Sequence, residues 1–160
     1  MILEARPISI FTRKFSIEAE GQKIALLDSS IWRVAGAISI GRQNYQLYRE
    51  GLMSGAFLLE NEGQVVARAI KPSAFSSQFD LEFRGRRYSL TRASVFGRGF
   101  AVFQGEVVVG SIHPAGMFIR RTIIDLPPDW SIPFQVFVFW LVLVVWKRAS
   151  AATATGLTGT

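Results

Sequence analysis

The stretch Ser131–Arg148, SIPFQVFVFWLVLVVWKR, is the most apolar in the chain, and its surroundings decide the fold. Between Phe134 and Trp146 the only polar side chain is Gln135. A helix that is apolar on every side has no face for water, so protein or lipid must enclose it. Trp130–Trp146 is seventeen residues long, at the lower edge of a bilayer span. Trp130 and Trp146 at its ends, with Lys147 and Arg148 beyond, have the character of interface anchors. Whether the segment is a core helix or a tail anchor depends on what the rest of the chain builds.

The rest of the chain repeats. Phe15–Arg49 reads FSIEAEGQKIALLDSSIWRVAGAISIGRQNYQLYR, and Phe57–Arg92 reads FLLENEGQVVARAIKPSAFSSQFDLEFRGRRYSLTR. With one residue of slack, Phe15, Ile17, Glu18, Glu20, Gly21 and Gln22 match Phe57, Leu59, Glu60, Glu62, Gly63 and Gln64. Further on, Ile38, Ile40, Tyr45, Leu47 and Arg49 match Leu81, Phe83, Tyr88, Leu90 and Arg92. A shortened third copy runs from Phe100 to Leu126, where Gly105, Val108, Ile112 and Pro114 match Gly63, Val66, Ile70 and Pro72. The period is about 42 residues.

Inside each copy the apolar residues alternate with polar ones, as Phe79, Leu81 and Phe83 do with Asp80 and Glu82. Period-two alternation broken by glycine turns predicts short antiparallel strands with one face in a core. Four strands per copy give about twelve, and the chain from Ile8 to Leu126 reads as all β. A propeller has repeats of similar length, but three blades fall below its usual minimum of four. One sheet closing on itself also removes exposed edges.

A ring of twelve strands about 4.8 Å apart and tilted about 40° has a radius of roughly 12 Å. Its own side chains do not fill that space, whereas an axial helix about 10–12 Å across does. From Ile132 to Trp146 such a helix rises about 22 Å, the length of a strand of six or seven residues. The fold expected is therefore mainly β: a closed antiparallel barrel around a central hydrophobic C-terminal helix at about 131–148. LPPDWSIP forms the turn into that helix, with Ser131 as its cap. The domain is expected to span 1–148, with 149–160, ASAATATGLTGT in its last twelve residues, as a disordered tail.

The order of these parts resembles the tubby C-terminal-like superfamily, which includes LURP-one-related proteins and phospholipid scramblases. The likeness rests on the paired hairpins FSIEAEGQKIAL and FLLENEGQVVAR, on ISIGRQNYQLYR and FDLEFRGRRYSLTR, and on LPPDW with VFVFWLVLVVW. It covers Ile8 to about Arg148, and no single motif is specific. The resemblance implies a twelve-stranded barrel around a hydrophobic helix and no enzymatic activity. In the tubby branch it implies phosphoinositide binding through basic side chains on the outside of the barrel. No stretch matches the tubby lipid pocket, so no binding residue carries over. Without a cysteine cluster or a proline-rich leader, lipid scrambling is not implied.

Composition narrows the chemistry. With no cysteine there is no disulfide, thiolate site or thiol nucleophile. A single histidine, His113 before Pro114, cannot make a common zinc site and reads as a strand-end residue. No phosphate-binding glycine motif occurs, and the acidic start MILEA does not read as a signal peptide. Neither a cofactor, a metal nor a catalytic residue is expected, and aromatic residues alternating inward do not suit nucleic acid.

The net charge of +6 lies wholly in the second half: Arg84–Thr160 holds nine basic and three acidic residues. Such a bias favours anionic partners. Arg84, Arg86 and Arg87 crowd one hairpin, Arg42 occupies the matching turn of the first copy, and Arg120 and Arg121 sit in the last hairpin. Arg92 and Arg98 flank another. Gathered on one wall or end, these arginines would form a patch for acidic phospholipid or phosphoinositide. The function expected is that of a monomeric, cytoplasmic, non-enzymatic binding or scaffold module, peripheral at a membrane. The alternatives are a tail-anchored membrane protein using 130–148 and a small-molecule carrier using space beside the helix.

Overall fold

The computed structural model describes residues 1–9, 13–30, 33–51, 55–73, 76–94, 97–117 and 120–157, with side chains described to 151. Twelve strands close into one antiparallel barrel in which each pairs with its neighbours in sequence and β1 closes the ring against β12. They are β1 (Leu3–Pro7), β2 (Lys14–Ala19), β3 (Gln22–Ser29), β4 (Ala35–Ile40), β5 (Gln43–Arg49) and β6 (Ala56–Asn61). The ring continues with β7 (Gln64–Ile70), β8 (Phe79–Phe83), β9 (Arg86–Arg92), β10 (Phe100–Gln104), β11 (Val107–Pro114) and β12 (Thr122–Asp125). The helix α1 (Ile132–Leu157) follows.

Alternation sets the two faces of the wall. In β8, Phe79, Leu81 and Phe83 are buried while Asp80 and Glu82 are exposed. Three of the hairpins carry a bulge just ahead of the turn, between Ile17 and Glu18, Leu59 and Glu60, and Val102 and Phe103. An extra residue there sharpens the local twist that closure requires. The turns Glu20–Gly21 and Glu62–Gly63 have positive φ at both residues. That is the two-residue turn whose twist matches the strands it joins.

Two expectations need correction. The third copy supplies only β10, β11 and β12, and the twelfth strand is β1, which lies before Ile8 where the all-β reading began. Its signal was present but brief: Leu3 and Ala5 point inward, while Glu4 and Arg6 form an ion pair outside at 3.0 Å. The helix also runs past Arg148 to Leu157 rather than giving way to a tail without structure. Alanine is the best helix former, and Ala149, Ala151, Ala152 and Ala154 extend a helix already nucleated inside the barrel. The last residues of that tail, 158–160, lie outside the described residues.

The helix occupies the axis. Phe134 through Val142 are each no more than 1 % exposed, which includes every side of the helix. By length and composition Ile132–Ala151 could also cross a bilayer, but in this fold its stretch from Phe134 to Val145 lies largely inside the wall, and Ala149–Ala151 are exposed. Ser131 caps it: its Oγ accepts the Phe134 N–H at 3.4 Å and its carbonyl accepts that of Gln135 at 3.0 Å. Gln135 is buried and its Nε2 donates to the Trp130 carbonyl at 2.9 Å, while Oε1 has no hydrogen-bond partner among the described residues. Trp130 seals this end of the barrel, 4.8 Å from the Tyr88 ring and 4.5 Å from Phe134, which itself stacks on Phe83 at 4.0 Å. Midway along, Trp140 meets Phe57 edge-on at 5.9 Å. Gly36 sits close by, where a Cβ would lie 2.9 Å from the Asp28 carbonyl oxygen and also crowd Leu47 at 3.3 Å.

Candidate anion-binding site

Strict up-and-down connectivity gives the barrel two unlike ends. One end carries the two-residue turns, and α1 enters there. The other carries the six longer connections, after β1, β3, β5, β7, β9 and β11, and α1 leaves there. Charge is distributed differently on the two.

At the turn end the signs alternate around the rim. The turns carry, in ring order, Glu20, Arg42, Glu62, Arg84 and Glu106. Arg42 and Arg84 are therefore flanked by carboxylates and sit on separate hairpins. Arg86 and Arg87 share the hairpin of Arg84, but Arg87 stands directly across from Glu82 and the Arg84 guanidinium lies 4.9 Å over the Phe83 ring. The remaining two candidates are elsewhere. Arg120 is at the loop end, and Arg121 leans on the outer wall with its Nε 3.8 Å from the Glu4 carboxylate. The six arginines singled out in the sequence thus divide among two ends and a side.

The loop end brings together a different set. A cavity of about 880 Å³ opens between the emerging helix and the wall. Arg13, Arg33, Arg98 and Arg120 reach it from four separate connections, and Lys147 and Arg148 from the helix. Among the described residues no acidic side chain lines it. Its floor is apolar, made by Phe15, Val34, Trp140, Leu143 and Val144. Trp146 fixes the helix at the rim by donating its indole N–H to the Arg98 carbonyl at 2.9 Å.

The crowding leaves an electrostatic mark. Burial lowers the pKa of Arg148, and the nearby Arg49 lowers it further. Lys71 is pushed down by burial and then by Arg148 and Arg49, and Lys147 by burial and then by Arg13. Like charges gathered in a partly desolvated place disfavour one another, and a bound anion relieves that cost. Arginine remains charged under any working condition and presents paired donors to phosphate or carboxylate oxygens. The geometry can therefore bind an anion.

His113 is exposed one residue from the end of β11. Among the described residues no group of three or more His, Cys, Asp or Glu could hold a metal ion. Sequence reasoning passed over Arg13 and Arg33, and read Lys147 and Arg148 only as helix-end anchors, because it looked for arginines near one another in the chain. A signal existed: assigning each charge to one of two ends by the parity of its connection collects the cations of the long connections at one mouth.

No family model matches this chain, and neither a curated protein nor a solved structure matches it.

Proposed function

We propose that this protein is a monomeric, non-enzymatic docking module that sets its loop end against acidic phospholipid as a peripheral protein on the cytoplasmic face of a membrane. The observation that carries the reading is the ring of six cations around one mouth with no acidic side chain among its described lining residues. Each basic residue near an anionic bilayer contributes about 1 kcal/mol, so three or four give useful, salt-sensitive attachment. Met117 at the same mouth is 91 % exposed, an apolar tip suited to the interface. The likeness in order of parts to tubby-like barrels supports the same direction. Burial of α1 on all sides favours this reading over a tail anchor, because a span would have to empty the barrel.

The test is flotation with vesicles of phosphatidylcholine alone or mixed with phosphatidylserine or a phosphoinositide. Retention is expected only with anionic lipid and at low salt. Changing Arg33, Arg98 and Arg120 together to Ala should weaken partitioning on the order of 100-fold. Equal retention on neutral vesicles, or an unaffected triple variant, would sink the proposal.

A further inference from the structure

The mouth is more than a charged surface, because behind its cations the lining turns hydrophobic. Phe15, Leu143 and Val144 line the cavity, and it reaches Trp140, a residue otherwise closed off in the core at 1 % exposure. From Arg148 back to Trp140 the helix residues of the lining span about 12 Å along the axis, the length of an alkyl chain of roughly eight to ten carbons. A free inorganic anion has no use for such a floor, and a neutral hydrocarbon has none for the rim. We infer that the cavity binds one molecule of a single-chain phosphate amphiphile of the lysophospholipid type, its phosphate held by Arg33, Arg98 and Arg120 and its chain laid along Leu143 and Val144 toward Trp140.

The apolar floor and the cationic rim are features of one cavity, in the order in which such a molecule presents its parts. A pocket of this kind is mostly apolar with a few convergent polar groups that set orientation. The guanidinium fork suits a phosphate monoester, which offers several oxygens at once. The inference rests on the cationic mouth being the anion site, as proposed above, but it does not require attachment to a bilayer.

The experiment titrates the full chain with inorganic phosphate and with hexyl, octyl and decyl phosphate below their aggregation concentrations. Calorimetry and tryptophan fluorescence report binding, and vesicle flotation runs in parallel. Each added CH₂ should tighten binding about three- to fourfold until the chain fills the depth near ten carbons. Arg33→Ala with Arg120→Ala should weaken every chain length by a similar factor, about tenfold or more, and leave the gradient intact. Leu143→Trp, which fills the floor, should flatten the gradient. Val34→Trp does the same from the wall, should the helix variant not fold. Binding of inorganic phosphate as tight as that of decyl phosphate, or no gradient with chain length, overturns the inference. Vesicle retention without alkyl phosphate binding overturns it too while leaving membrane docking standing. Alkyl phosphate binding without vesicle retention supports it and sinks the docking reading instead. Failure of both probes removes both.

Discussion

Arg98 holds Trp146 by two different atoms. Its backbone carbonyl accepts the indole N–H at 2.9 Å, and its guanidinium lies 4.5 Å over the indole ring. One residue of the wall thereby fixes the height at which the helix leaves the barrel, and it does so beside the cavity. Trp146→Phe removes the hydrogen bond and keeps a ring under the cation. It should cost about 0.5–1.5 kcal/mol, read from denaturant unfolding, while Arg98→Ala should cost about 0.5–1 kcal/mol because the carbonyl stays. A larger loss for Arg98→Ala than for Trp146→Phe would mean that the ring contact, not the hydrogen bond, fixes the helix.

The axial helix is the interior of this protein. A chain ending at residue 131 should be insoluble or unfolded, because its removal bares the inward faces of twelve strands at once. Phe137→Ala, at a site with 0 % exposure, should cost about 3–5 kcal/mol. Circular dichroism and solubility of the truncated chain check the first, and urea unfolding checks the second. A soluble, folded barrel without α1 would show that the helix is dispensable.

Two glycine replacements should fail for the same backbone reason. A Cβ on Gly110 would lie 2.7 Å from the Asp125 carbonyl oxygen, and one on Gly55 would lie 2.7 Å from that of Lys71. Main-chain oxygens in a closed sheet have no room to retreat, so Gly110→Ala should destabilise by about 1–3 kcal/mol. Turn residue Glu62, by contrast, has φ of 50° at an open position. Asparagine tolerates that conformation better, so Glu62→Asn should stabilise by about 0.5–1 kcal/mol in thermal unfolding.

Stability should depend on pH in a direction that the mouth dictates. Burial and neighbouring cations lower the pKa of Lys71 and Lys147 below the ordinary 10.5. The folded chain then gives up these protons before the unfolded chain does, so the unfolded state binds more protons and stability rises with pH in the window just below 10.5. Tyr48 acts oppositely above its ordinary 10.0, because its hydrogen bond to Glu60 raises its pKa. Melting curves between pH 8 and about 10 should rise in the parent and flatten when both lysines are changed to Gln. A flat parent profile would show that the crowding is relieved by solvent.

Much of the architecture could be read before any coordinates. Phe79, Leu81 and Phe83 against Asp80 and Glu82 name their faces by period alone, and the apolarity of Phe134–Trp146 on all sides requires an enclosure. The strand Leu3–Pro7 escaped because two inward residues in five are too few to register as alternation. The helical continuation beyond Arg148 escaped because polarity argued for disorder, where alanine content and a preformed helix to extend weigh more. The site was the least legible part. Arg13, Arg33, Arg98 and Arg120 are far apart in the chain and meet only because alternate connections end on the same rim. The sequence does single out Arg120 and name Arg98, but adjacency groups them with Arg84, Arg86 and Arg87, which share one hairpin at the opposite end.

The pairing of Leu3 with Ile124 has a consequence for the life of the newly made chain. As translation proceeds, the opening strand has no partner on one side until residues 122–125 clear the ribosome, and the plug is made later still. Until that pairing forms, the twelve strands can make only an open trough with a greasy inner surface. Completion of the ring is thus a single late event in which the trough closes around α1, and until then a chaperone would find it an eager client.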